Sequence, residues 1–115
     1  MRILFVTFPI LFLTSLAIGQ NAEKRLNKTL ILQLDTILLD DQFYRVKSDS
    51  LAQKYGYESK EMQTHYQEMY EKDSINTLKV ASIIDKFGWL GSGEVGESGN
   101  LTLFLVIQHS DIKTQ

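Results

Sequence analysis

The sequence predicts an all-α fold, a small helical domain with a glycine-rich loop, and three observations support this prediction. Apolar residues recur at helical spacing along two long stretches of the chain. A third stretch, SINTLKVASIIDKF, is apolar nearly all round, which is typical of a central helix in a bundle. In residues 101–109, leucine or isoleucine occupies every second position from 101 to 107, as in a β-strand, but the sequence predicts no second strand to pair with them.

Residues 1–19 are typical of a secretory signal peptide. A positively charged start precedes an apolar stretch, and the small residues Ala17 and Gly19 predict cleavage before Gln20. A membrane anchor is the alternative, but the apolar stretch is short for a span and contains a proline. We therefore expect residues 20–115 to form a single helical domain that is secreted or periplasmic, with no stable membrane association after cleavage.

The first helix is predicted from Glu23 to about Val46, where a polar stretch reads as a loop. Ser59 is a suitable N-cap for a second helix, whose apolar face includes Met62. Asp73 is predicted to cap a new helix or to mark a kink.

The central helix is predicted near Ser74 to Phe87, with Gly88 at its C-cap, and a glycine-rich loop follows. Asn100 is a suitable N-cap for a last helix that ends at about Asp111. A β-strand is the alternative for this last segment. We favour the helix because a lone strand leaves its backbone groups unpaired.

Composition and spacing exclude several classes of function. The net charge of −2 and the absence of a basic run argue against nucleic-acid binding. The chain has no cysteine, and its two histidines show no ligand spacing, so we expect no metal and no cofactor. The glycine-rich loop fits the dinucleotide pattern G-x-G-x-x-G, but a helix precedes it and Glu94 and Glu97 would repel phosphate.

Polar side chains continue the apolar faces of three predicted helices, which suggests a shared site. These residues are Asp41, Gln42 and Arg45 on the first helix, Asn76 on the central helix, and Gln108 and His109 on the last. If they meet, their imidazole, carboxylate, guanidinium and carboxamides form a pocket for a small anionic or polyhydroxyl ligand. The alternative is that each helix simply ends in solvent there.

His109 is the candidate general base, oriented by Asp41 or Asp111. Trp89 is expected to cover the core, with stacking on a sugar ring as the alternative ligand-binding role. The other histidine, His65, lies among acidic residues and is expected on a solvated face.

Five motifs occur in the order in which a known family carries them: LDDQFYR, DSIN, IIDKFGW, VG and LVIQHSD. Over residues 35–111 the chain is similar to the bacterial family catalogued as domain of unknown function 6624. The resemblance implies a mainly helical protein that is often exported. It gives no activity that could be transferred to this chain. Leu90 and Ser110 depart from the usual proline and alanine of the family, and family members usually continue further past the last motif.

We therefore expect an exported module that binds a small polar or anionic ligand at its polar helix ends. A hydrolase-type enzyme with His109 as general base is the alternative. A truncated remnant without function is a third interpretation, because the predicted elements cover the central helix poorly. The sequence leaves the oligomeric state open.

Overall fold

The structure, a computed structural model, describes residues 25–111, which form three helices and no strand. Helix α1 spans Lys28–Tyr55, α2 spans Lys60–Phe87 and α3 spans Ser92–His109. The all-α prediction is confirmed. The predicted signal peptide lies outside the described residues. None of these three helices is both long enough and apolar enough to cross a membrane.

Helix α1 is capped by Asn27, whose side-chain oxygen accepts a hydrogen bond from the backbone N–H of Leu30 at 3.0 Å. Residues 25–27, which were predicted to be helical, precede it. It continues nine residues past the predicted end at Val46 and stops before Gly56, where φ is 90°. The loop prediction for this stretch was therefore wrong. The stretch contains no glycine or proline until Gly56, and Ala52 is buried, so its polar residues form the solvated side of a continuous helix.

Helix α2 has the predicted cap at each end. The Ser59 hydroxyl accepts from the backbone N–H of Met62 at 3.2 Å, and Gly88 ends the helix at φ 73°. The new helix start or kink predicted at Asp73 is wrong, because α2 passes through this residue without interruption. The Asp73 carboxylate bonds to a side chain of α1 instead of capping its own helix.

Most of the predicted glycine-rich loop belongs to α3. Gly91 precedes the helix, and its backbone N–H donates to the Glu94 carboxylate at 3.0 Å. A kink follows at Gly96, where φ is 73° and glycine is therefore favoured. Asn100 is not an N-cap; its amide donates to the carbonyl of Leu90 at 2.9 Å. The helical interpretation of residues 101–109 is confirmed.

The three helices pack around one apolar core. Its buried members are Leu30, Leu34 and Ile37 from α1, Val80 and Ile83 from α2, Leu90 from the linker, and Val95, Leu103 and Val106 from α3. The four residues between α1 and α2 make these helices antiparallel neighbours. Ser98 contacts Asp35 and His109 contacts Asp41, so α3 runs in the same direction as α1. The polar side chains of interest follow directly after this core along α1 and α3.

Gly99 leaves no room for a side chain against Val95 of its own helix and Leu34 of α1. A Cβ placed there would lie 2.8 Å from Val95 Cβ and 3.2 Å from Leu34 Cδ1. We expect Gly99→Ala to lower the free energy of unfolding by about 1–3 kcal/mol, because overpacking outweighs the gain in helix propensity. Urea unfolding followed by circular dichroism measures this change.

Gly93→Ala is the matched control, since Gly93 is exposed on the same helix and has no atom within 4 Å of its Cβ position. We expect it to be neutral or to stabilise by about 0.5 kcal/mol. Equal stability changes for the two variants would contradict the tight contact at Gly99.

Candidate functional site

A buried carboxylate lies at the centre of the candidate site. Asp41, one helical turn beyond the core residue Ile37, is only 1% exposed. Its Oδ2 accepts from Gln42 Nε2 at 2.7 Å, and its Oδ1 lies 2.8 Å from His109 Nδ1 and 3.3 Å from Arg45 Nη1. Both oxygens are therefore paired, as the burial of a charge requires.

Arg45 joins α1 to α2 at this point. Its Nη1 and Nη2 donate to the two carboxylate oxygens of Asp73 at 3.0 and 2.8 Å, a bidentate ion pair. Nη1 also donates to the backbone carbonyl of Asp41 at 2.6 Å. The guanidinium is thus shared between a carboxylate on its own helix and one on the neighbouring helix.

His109 joins α3 to the same cluster. An ionised carboxylate only accepts hydrogen bonds, so the contact with Asp41 places a proton on Nδ1 of the ring. In the neutral imidazole, Nε2 then carries no proton and is an acceptor. Because His109 and Arg45 contact the same oxygen of Asp41, the imidazole and the guanidinium lie within two hydrogen-bond lengths of each other.

A groove of about 430 Å³ opens beside this cluster, between α2 and the end of α3. It is lined by Tyr70, Asp73, Ser74, Thr77, Leu78, His109, Ser110 and Asp111. The groove therefore carries two carboxylates and one imidazole, with apolar surface from a tyrosine and a leucine. The Ser74 and Thr77 hydroxyls donate to backbone carbonyls one turn earlier, at 2.9 and 2.8 Å.

The groove has an acidic electrostatic balance. Among residues 25–111, Asp41, Asp73 and Asp111 contribute negative charge in and beside it, and Arg45 contributes positive charge. The guanidinium is already paired with two of these carboxylates. A second anion brought into the groove would meet unfavourable charge, whereas a cation or a neutral hydrogen-bonding group would not.

The structure brings most of the predicted site residues together. Asp41, Gln42, Arg45 and His109 form one hydrogen-bonded network, and Asp111 lines the groove. Three predicted residues lie elsewhere, namely Gln108, Trp89 and Asn76.

Gln108 is exposed and does not line the groove, although it precedes His109 in the chain. Trp89 is 54% exposed and follows the end of α2 at Phe87, roughly 20 Å along the helix axis from Asp73. Asn76 is fully buried one turn from Asp73, and neither polar atom of its carboxamide has a hydrogen-bond partner among the described residues.

Asp73 is the site residue that the sequence interpretation missed. It was assigned to a helix cap, yet Asp73, Asn76, Val80 and Ile83 follow one face of α2. From Ile83 back to Asp73, this buried face of α2 changes from apolar to charged. The buried face of α1 makes the same change from Ile37 to Asp41. That shared pattern is the signal that could have identified Asp73.

His65 forms a second buried polar contact between α1 and α2. It is 4% exposed, so the expectation of a solvated face was wrong. Its Nε2 lies 2.8 Å from the Ser48 hydroxyl and 2.8 Å from the Tyr44 carbonyl. Ser48 lies in the stretch that was predicted to be a loop, and its helical conformation provides the cover for the histidine.

Comparisons with protein-family models, curated proteins and solved structures find no match to this chain. The resemblance to domain of unknown function 6624 therefore stays a prediction. Among residues 25–111, no group of three or more histidine, aspartate or glutamate side chains is placed to hold a metal ion.

Arg45→Met tests whether the guanidinium holds the cluster together. It would leave two carboxylates, each at most 8% exposed, without their cation. We expect the free energy of unfolding to fall by about 3 kcal/mol, the cost of breaking a buried pair from one side. Urea unfolding measures this loss.

Lys79→Met is the matched control, because Lys79 is exposed on α2 and is expected to change stability by less than about 0.5 kcal/mol. Arg45→Lys is expected to lower the free energy of unfolding by less than Arg45→Met and by more than Lys79→Met. Lysine keeps the positive charge but loses the bidentate geometry. If Arg45→Met were as mild as the control, the cluster would not be a stabilising element.

Proposed function

We propose that the chain is an exported binding module for a small polar ligand, uncharged or cationic, held in the groove beside His109. The observation that carries the proposal is the 2.8 Å contact between His109 Nδ1 and the buried Asp41 carboxylate. This contact fixes the ring and leaves Nε2 as the acceptor for a hydroxyl or ammonium group. Export rests on the sequence of residues 1–19 alone.

The charge around the groove selects the ligand class. Asp73 and Asp111 line it together with His109, and Arg45 is paired with Asp41 and Asp73. Carboxylates stabilise a bound ammonium group or accept hydrogen bonds from hydroxyls. The anionic ligand that the sequence also suggested has less support, because the guanidinium would have to leave two carboxylates to reach it.

The groove is also organised before any ligand enters it. Asp41 is held by Gln42 and Arg45 as well as by His109, so the imidazole is oriented by a carboxylate that cannot itself rotate freely. A side chain that is already ordered loses little conformational entropy on binding. Tyr70 and Leu78 add apolar surface for the carbon atoms of a ligand.

A hydrolase is the second candidate, and the same contact favours it. A histidine whose Nδ1 donates to a carboxylate presents Nε2 as a general base, the arrangement used to remove a proton from water or a hydroxyl. Ser74, Thr77 and Ser110 line the groove, but all three hydroxyls donate to backbone carbonyls. Water is therefore the nucleophile that this geometry would activate.

Long-range ¹H–¹⁵N NMR spectra of the histidine rings test the assigned tautomer. In the unaltered protein at pH 8 we expect His109 to carry its proton on Nδ1, because Asp41 accepts it. In Asp41→Asn the amide can donate to Nδ1, and we expect the proton to move to Nε2. Asp40→Asn is the control, since Asp40 has no contact with the ring and should leave the tautomer unchanged.

Ligand class is tested by backbone NMR titration with three probes: ethanolamine, glucose and inorganic phosphate. We expect ethanolamine or glucose to shift the amide signals around Asp73 and His109, and His109→Gln to abolish the effect. Phosphate is expected to leave these signals unchanged, because the groove is acidic. Shifts with phosphate alone would overturn the proposal.

Turnover of a p-nitrophenyl ester distinguishes the hydrolase from the binding module. An enzyme of this kind would lose activity in His109→Gln and Asp41→Asn at concentrations where both variants remain folded by circular dichroism. Equal rates for these variants and for the unaltered protein would exclude His109 as the base.

A further inference from the structure

The outer face of α1 carries a stripe of exposed side chains at regular spacing. The stripe consists of Leu32, Thr36, Leu39, Phe43, Val46 and Ser50, which follow one another at steps of four and three residues. This is the spacing of the a and d positions of a coiled coil. Its four apolar members are 59–76% exposed: Leu32 69%, Leu39 73%, Phe43 59% and Val46 76%.

The stripe lies on the side of α1 opposite the core. Leu34 and Asp41 face the core and the charged cluster, and both are buried. Around Phe43 the stripe forms a shallow, mainly apolar groove of about 500 Å³, and no described residue of another helix lines it. A contiguous apolar surface of this kind marks a contact with another molecule.

We propose that this stripe packs against the same stripe of a second copy of the chain, with the two α1 helices antiparallel in a symmetrical dimer. The spacing suits another helix with heptad spacing, and α1 itself is one. A twofold axis lets one stripe serve both sides of the contact. In this arrangement Phe43 of each copy packs beside Val46 of the other.

The charges that flank the stripe favour the antiparallel direction. Gln33, Asp40 and Lys47 lie on one flank, and Asp35, Gln42 and Asp49 lie on the other. In an antiparallel pair each flank faces the same flank of the second copy. Asp40 of each copy therefore lies near Lys47 of the other, and the symmetry gives two such pairs. In a parallel pair opposite flanks meet, and Asp35 would face Asp40 of the second copy with repulsion.

The length of the stripe sets the strength of the contact. In the register that places Phe43 beside Val46, the two stripes overlap from Leu39 to Ser50, about 17 Å along the helix or roughly one and a half heptads. A contact of this length gives a reversible dimer whose population depends on concentration. The contact leaves the groove beside His109 open, because that groove lies between α2 and α3.

Sedimentation equilibrium of the purified protein tests the dimer. We expect the mean mass to approach twice that of the chain as concentration rises, and Leu39→Lys/Val46→Lys to remain monomeric. Both side chains are exposed, so the helical circular dichroism should be unchanged. A monomer at every concentration in the unaltered protein, or a variant that still dimerises, would overturn the proposal.

Exchange of the flanking charges tests the direction of packing. Asp40→Lys or Lys47→Asp alone should weaken the dimer about tenfold, and the double exchange should restore it, because each pair forms twice. In a parallel dimer Asp40→Lys would instead strengthen association by facing Asp35. That result would overturn the antiparallel arrangement.

Oxidation of a Leu39→Cys variant gives an independent test of direction, since the chain contains no other cysteine. In the antiparallel register the two introduced thiols lie about 17 Å apart along the helices, too far for a disulfide. We expect no covalent dimer. Rapid formation of a disulfide-linked dimer would indicate parallel helices and overturn the proposal.

Discussion

The buried carboxylate of Asp41 is the constraint on which this end of the molecule depends. A charge with 1% exposure is tolerated only when hydrogen bonds replace the water it has lost. Asp41 obtains them from Gln42 and Arg45 on its own helix and from His109 on α3. Arg45 extends the network to Asp73 on α2. The hydrogen bonds that Asp41 requires therefore link all three helices at this end of the molecule.

The same network connects stability to the chemistry proposed for the groove. The contact that satisfies Asp41 also orients the imidazole of His109, so a stabilising role and a functional role are compatible in one pair. A second polar contact, between His65 and Ser48, holds α1 and α2 nearer their connection, but there the ring nitrogen faces a hydroxyl and a carbonyl. Only the first contact combines a carboxylate-oriented imidazole with an acidic groove.

Local patterns in the sequence predicted the elements that depend on local interactions. The caps at Ser59 and Gly88 were predicted because a side chain or a positive φ acts within one turn. The polar residues on apolar faces predicted Asp41, Arg45 and His109, since burial follows helical periodicity. His65 was misplaced because its partner Ser48 lies in the part of α1 that was predicted as a loop. Asp73 was misplaced because its partner Arg45 lies on another helix, and the pattern within one helix does not show such a contact. The helical residues from Ser92 to Gly99 were missed because glycine has a low helix propensity, and the packing of Gly99 against Leu34 is not visible in a local pattern.

Helix α1 therefore has two faces with different requirements, and Gln42 lies between them. Its amide donates to Asp41 Oδ2, and its side chain also lines the apolar groove around Phe43. A second helix packed on the outer stripe would restrict the rotamers of this side chain while its amide bonds to the carboxylate. Restriction of Gln42 in the proposed dimer would favour the hydrogen-bonded form of Asp41 and, through it, the orientation of His109. Self-association and ligand binding would then be coupled through the Gln42 side chain. Dimerisation would strengthen ligand binding, and ligand binding would strengthen dimerisation by the same factor.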